Sequence, residues 1–179
     1  VAVVGDGQAA LGQALDLGPD HLSLYALTRH DETPLARAIA QGRAPRLDDD
    51  LAADMYLWAL EALGQAGYTH YEISNWARGD SAICQHNLTY WLDLPYLGLG
   101  AGAHGYAAGV RTANVLAPAA YIARLEDGAA QEFPRTPAIA SLTPVDRQAE
   151  IGETMLMGLR LTQEGVCEAD FQAHFGQSL

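Results

Sequence analysis

The sequence predicts an α/β fold. Strand-like and helix-like periodicities alternate along its 179 residues, glycine or proline marks most junctions, and 49% hydrophobic residues suffice for a core. Strands separated by helices of this size point to parallel βαβ units, with chemistry gathered at the carboxyl ends of strands.

Val1 to Gly7 has the look of a short strand running into glycines. Its G-x-G lacks a third glycine and a full preceding strand, so it reads as a turn rather than a dinucleotide site. Gln8 to Leu17 carries apolar residues at helical spacing, and Gly18-Pro19-Asp20 ends that helix. His21 to Thr28 alternates as a strand should. Thr33-Pro34 then opens a short helix. Asp48, Asp49 and Asp50 start a longer one whose core face is Leu51, Met55, Ala59, Ala62 and Leu63, stopped by Gly67. Tyr68 to Trp76 returns to a strand, with His70, Glu72 and Ser74 on one face and Tyr71 and Ile73 on the other. Tyr96 to Gly105 reads as a strand ending in a glycine loop that lets a ligand approach the backbone. Arg124 to Ser141 is irregular and proline-dotted. Thr143-Pro144 opens a helix with a stripe of Ile151, Met155 and Leu159, and Phe171 and Phe175 mark a last short helix.

Composition narrows the function. Ten basic against 22 acidic residues give a net charge of −12, so the cationic surface that nucleic acid requires is missing. No apolar run is long enough to span a bilayer, and no secretory leader pattern is visible, which predicts a cytoplasmic protein. Cys84 and Cys167 cannot make a disulfide framework, and no CxxxCxxC run is present to hold an iron–sulfur cluster.

Three places carry chemistry. Within Cys84 to Trp91, His86 could ligate iron, Tyr90 and Trp91 could cover a flat macrocycle, and Asn87 could fix the imidazole tautomer. The alternative is an aromatic anchor on the core, with His86 bonded to a carbonyl. His104 ends the glycine run as a ligand contact or as a solvent-facing loop residue. Glu72, between His70 and Ser74, lies on a solvated edge or in a polar barrel interior. No catalytic residue is nominated.

In this order, HLSLYALT with TPLARAIAQG, DLAADMY, GYTHYEISNWAR, CQHNLTYW and YLGLGAGAHGY resemble the radical S-adenosylmethionine proteins related to oxygen-independent coproporphyrinogen III oxidase. The hexapeptide His86-Asn87-Leu88-Thr89-Tyr90-Trp91 is similar to that of the HemW-type heme-chaperone branch, and the likeness continues through MLMGLRLTQEGV and FxxxFG. It implies the later part of a partial (β/α)6 barrel over residues 1–125, a linker at 126–142, and the beginning of a small helical C-terminal domain at 143–179. It also implies that Val1 lies within or just before the first helix, so that the strand-like look of Val1 to Gly7 misleads.

The same resemblance implies heme as ligand, with His86 as iron ligand in a motif with Asn87, Tyr90 and Trp91. Ala26, Gly100, Gly102 and His104 would form a wall of the S-adenosylmethionine site. A [4Fe-4S] cluster and S-adenosylmethionine would be cofactors of the intact parent. The implied partner is a heme-acceptor protein, with peripheral association with membrane-bound acceptors and a homodimer as further options. The missing CxxxCxxC run departs from the family, which suggests a fragment unable to do radical chemistry by itself. Two rivals remain: a coproporphyrinogen III oxidase, whose metal-free substrate needs no axial histidine, and a non-catalytic acidic surface for a basic partner. Covalent or non-covalent heme attachment and the second axial ligand stay open, with Cys84 a candidate by proximity and a plain buried thiol the alternative.

Overall fold

The computed structural model describes residues 4–179, and the chain divides into two compact units, 1–84 and 85–179. Residues 1–3 of the strand-like N-terminus lie outside the described residues. From Val4 onward that segment is helical, because it continues the apolar spacing of the helical turns after it.

In the first unit, α1 (Val4–Asp16) packs on α3 (Asp49–Gln65), with β1 (His21–Ser23), α2 (Pro34–Ala40), β2 (Thr69–Glu72) and β3 (Asn75–Ala77) completing it. Local caps explain the helix starts. Thr33 Oγ1 accepts from the Ala36 N–H at 3.2 Å ahead of Pro34, and Asp48 Oδ1 accepts from the Leu51 N–H at 3.0 Å. The face of α3 matches expectation: Ala59 and Leu63 are buried and Leu51, Met55 and Ala62 half-buried. Ala59, Ala62 and Leu63 meet Leu11, Tyr68 and Trp76 in one apolar cluster, in which Leu63 and Trp76 are fully buried.

The strands pair differently from the parallel arrangement expected of βαβ units. The sheet order is β1-β3-β2 and both pairings are antiparallel. Tyr68 to Trp76 is therefore a hairpin rather than one strand. The loop Ile73-Ser74 is too short for a parallel crossover, which needs a dozen or more residues. A register shift between His70 and Glu72 breaks the simple alternation, and both Tyr71 and Glu72 are buried. The strand at His21 is also shorter than predicted. After the Leu24 N–H donates to Ser74 O at 2.9 Å, residues 25–30 are exposed.

The second unit contains α4 (Gln85–Trp91), β4 (His104–Ala107), β5 (Val110–Asn114), α5 (Pro118–Asp127), β6 (Ile139–Pro144), α6 (Arg147–Gly158) and α7 (Glu168–Phe175). Its sheet is an antiparallel meander β4-β5-β6. Ala108 and Gly109 close the first hairpin with φ of 52° and 71°, the left-handed values that a two-residue turn between twisted strands requires. The second half of the expected linker 126–142 holds the start of β6. Thr143-Pro144 ends that strand instead of opening a helix: Asp146 supplies the cap, its Oδ1 accepting from the Ala149 N–H at 2.9 Å. On α6, Ile151 and Met155 are half-buried as expected, whereas Leu159 lies past the helix end and is 65% exposed. Phe171 and Phe175 lie on a last short helix, as predicted, and are buried; Arg147 donates to the Phe175 carbonyl and joins α7 to α6.

Leu63→Ala removes a fully buried side chain from the centre of the first unit. It is expected to destabilise that unit by about 3 kcal/mol in urea unfolding, and a loss under about 1 kcal/mol would show that this cluster is not the core.

Candidate functional site

Glu72 is fully buried in the first unit, which removes the solvated-edge alternative. The hairpin brings Asn75 opposite it, and Asn75 Nδ2 donates to Glu72 Oε1 while Asn75 Oδ1 accepts from Ser23 Oγ at 2.5 Å. A polar chain thus crosses from β1 to β2 inside the sheet. His70 leaves the expected trio: it stacks on Trp76 at 4.5 Å, and its Nε2 lies 3.2 Å from Tyr56 Oη and 3.1 Å from Ile73 O. Burial, and then the Glu72 carboxylate, push the Tyr56 hydroxyl above its ordinary pKa. Ala26 lies in the exposed segment after β1.

In the second unit Gln85 to Trp91 of the motif become α4, and helical spacing explains which of its residues meet. His86 and Tyr90, four apart, share a face: Nε2 and Oη are 3.2 Å apart and the rings meet edge to face at 4.9 Å. Asn87, one residue on, points to a different face. Tyr90 in turn meets Tyr96 at 4.6 Å, so a row of three rings runs from the exposed His86 to the start of the glycine loop. Trp91 lies beneath the Arg160 guanidinium, 4.3 Å from the ring centre.

The glycine segment is a folded-back loop rather than the end of a strand, and β4 begins where that strand was expected to stop. Tyr96 and Tyr106 exchange backbone hydrogen bonds of 2.7 and 2.9 Å, pressing the loop onto β4. A Cβ at Gly98 would collide with the His104 carbonyl, so the close approach there is backbone to backbone. Gly100 and Gly102 take φ of 110° and 70°, and the side-chain direction at Gly100 faces open space. The buried Asn114 holds the loop, its Nδ2 donating to Gly98 O at 3.0 Å and Gly100 O at 2.9 Å. The Gly100 N–H donates to Tyr121 Oη at 3.1 Å, and the Gly102 N–H to Val115 O at 2.8 Å. His104 opens β4 with its side chain exposed. A cleft of about 140 Å³ adjoins the loop, with Leu99, Tyr106, Phe133 and Arg135 in its wall.

Sequence reasoning missed Asn114, whose partners lie 16 and 14 residues away, and the charged cluster after α4. In that cluster Thr154 Oγ1 donates to Asp93 Oδ2 at 3.4 Å and Arg111 pairs with Glu153 at 2.6 Å. Burial and then the Glu153 charge raise the Asp93 carboxyl; Arg111 and the Thr154 hydrogen bond oppose them, and Glu150 adds a further upward push. Among the described residues no group of three histidine, cysteine or acidic side chains could hold a metal, and Cys84 and Cys167 are free thiols. These residues do not fit an iron–sulfur cluster. No helix among the described residues is long and apolar enough to cross a membrane.

The fold has a known counterpart. It matches coproporphyrinogen III oxidase (HemN) from Escherichia coli, a radical SAM enzyme, with a TM-score of 0.69 over 98% of this chain and 41% of that one, at 14% identity, a likeness of fold alone. The architecture is thus α/β and shares that fold, with small sheets and no closed barrel in the described residues. No family model matches the chain. Its sequence is 35% identical over 170 residues to the heme chaperone HemW of Bacillus subtilis (95% of this chain, 42% of that protein), and 37% identical over 150 residues to HemW of Mycobacterium tuberculosis (84% and 36%). A mouse protein, radical S-adenosyl methionine domain-containing protein 1, mitochondrial, is 50% identical over 86 residues, covering 48% of this chain and 19% of its own length. The chain is thus similar in sequence to HemW proteins, and it spans about two fifths of the length of the HemW relatives it matches.

The raised Asp93 carboxyl has a thermodynamic sign. The folded chain holds this proton more tightly than the unfolded chain, so the group's contribution to stability falls as pH rises from the ordinary carboxylate range through the raised value. Asp93→Asn keeps an acceptor for Thr154, and asparagine tolerates the left-handed φ of 51°. Urea unfolding is expected to find this variant more stable than the parent at pH 7, with the difference vanishing as pH falls towards the ordinary carboxylate range; a variant less stable at pH 7 would reverse the assignment.

Proposed function

We propose that this chain is the heme-handling part of a HemW-type chaperone, in which His86 binds heme iron and the heme then passes to an acceptor protein. The observation that carries the reading is the exposed imidazole of His86 on α4, backed by the rings of Tyr90 and Tyr96. An imidazole in this setting is a ready axial ligand, and ligation through Nε2 replaces its contact with the Tyr90 hydroxyl. Tyr90 offers flat apolar area to the macrocycle beside the imidazole, while Asn87 and Trp91 belong to the same motif from other faces of α4, Trp91 beneath Arg160. The net charge of −12 favours a basic acceptor, which meets the chain by charge complementarity.

Ala26, Gly100, Gly102 and His104 are proposed as part of an S-adenosylmethionine site in the whole protein. The open space at Gly100 and the exposure of Ala26 and His104 support this role, although several loop backbone groups already serve the loop itself. A [4Fe-4S] cluster is proposed for the whole protein; its ligands are not among the described residues. The domain division 1–125, 126–142 and 143–179, a cytoplasmic location, a homodimer and peripheral contact with membrane-bound acceptors belong to the same proposal. The coproporphyrinogen III oxidase alternative has fold likeness behind it but leaves an exposed imidazole without a task.

Titration of heme into the parent chain and His86→Ala, read at the Soret band, tests the reading. The variant is expected to bind at least about tenfold more weakly, the loss of one axial bond being worth more than about 1.4 kcal/mol. Equal, saturable binding by both proteins would overturn it.

A further inference from the structure

Two side chains outside the hexapeptide hold its helix in place. Arg160, just past the end of α6, lays its guanidinium over the Trp91 ring at 4.3 Å, and Thr154, within α6, donates to Asp93 two residues beyond α4. The two contacts grip the same end of α4 from the same neighbouring element, against which α4 packs. Asp93 adds a stop: its N–H closes on Tyr90 O at 3.0 Å, and its φ of 51° turns the chain out of the helix. Below it, Arg111 on β5 pairs with Glu153 on α6, tying the sheet to the helix that carries both contacts. His174 on α7 bonds Glu150 at 3.0 Å and braces α6 from the other side.

A seven-residue helix has too few internal hydrogen bonds to fix its own direction, so its orientation is set by what it packs on. Rotation of α4 by a fraction of a turn would carry His86 and Tyr90 together away from Tyr96, and Trp91 away from Arg160. We infer that Arg160 and Thr154 are positioning residues for the heme motif: through Trp91 and Asp93 they set the angle at which α4 presents His86. The inference rests on the proposed heme-binding role and extends it to residues that touch no ligand. It makes α6, a helix of the 143–179 segment, a working part of the binding site.

The test uses the full chain, with heme as the probe, and compares Arg160→Gln, Arg160→Lys and Thr154→Val with the parent and His86→Ala. Arg160→Gln removes the cation above the ring and is expected to weaken heme binding by about threefold to tenfold and to shift the Soret maximum, while Arg160→Lys restores most of both. A merely structural role would lower the melting temperature without moving the spectrum of the heme that still binds. If Arg160→Gln does not fold, Thr154→Val decides on the same two readouts. Parent-like affinity and spectrum in the folded variant, with His86→Ala defective, would overturn this inference and leave the heme-binding role standing; parent-like binding by His86→Ala as well would overturn the role itself.

Discussion

A loop built on Gly98, Gly100 and Gly102 has no side chains at those positions with which to hold itself, and its carbonyls need donors once it lies against a strand. Asn114 meets that constraint with one carboxamide, donating to two carbonyls of the loop from the end of β5. A buried carbonyl left without a donor costs about 1–3 kcal/mol, so this one side chain does much to decide whether the loop is folded. The geometry of the neighbouring rings depends on it. The folded loop places Tyr96 opposite Tyr106, Tyr96 supports Tyr90, and Tyr90 meets His86. The face of α4 that meets heme in our proposal is in this way an extension of the β4–β5 hairpin.

A second constraint acts on α4. Its last residue, Trp91, and Asp93 beyond it are held by Arg160 and by Thr154 of α6, and α6 is braced by β5 through Glu153 and by α7 through Glu150 and the Phe175 carbonyl. A short helix held at this end by Tyr96, Arg160 and Thr154 has little freedom to turn. The first unit has a comparable logic in a different chemistry: a polar line runs from the exposed Ser23 through the buried Asn75 to the buried Glu72 and joins its three strands. The Asn75 carboxamide is tolerated inside the sheet because both its oxygen and its nitrogen are used, and bonds of this kind favour one register over its alternatives.

Local chemistry was legible in the sequence, and long-range pairing was not. The start of α3 could be read because Asp48 caps it within three residues, and Phe171 with Phe175 could be read because helical spacing alone puts them on one face. Tyr68 to Trp76 was misread as one strand because its turn, Ile73-Ser74, has none of the glycine or asparagine that normally marks a tight hairpin. Thr143-Pro144 imitates a helix start, but the pairing of β6 with β5 outweighs that local preference. The motif residues His86, Tyr90 and Trp91 were visible as residue types in a row, and the meeting of His86 with Tyr90 on one face of α4 became plain once the segment proved helical. Asn114 and the contact between Asp93 and Thr154 were beyond reach, since their partners lie 14 to 61 residues away and no local pattern announces them.

The central claim is that the His86 imidazole, at rest against Tyr90, becomes the ligand of the heme metal. The most direct measurement tracks the ring nitrogens of the six histidines by long-range proton–nitrogen NMR before and after one equivalent of diamagnetic gallium protoporphyrin. The account predicts that the His86 nitrogens move to the position of a metal-bound imidazole while the other histidines keep theirs. Unchanged His86 signals with porphyrin bound, or the metal-bound signature on another histidine, would contradict it.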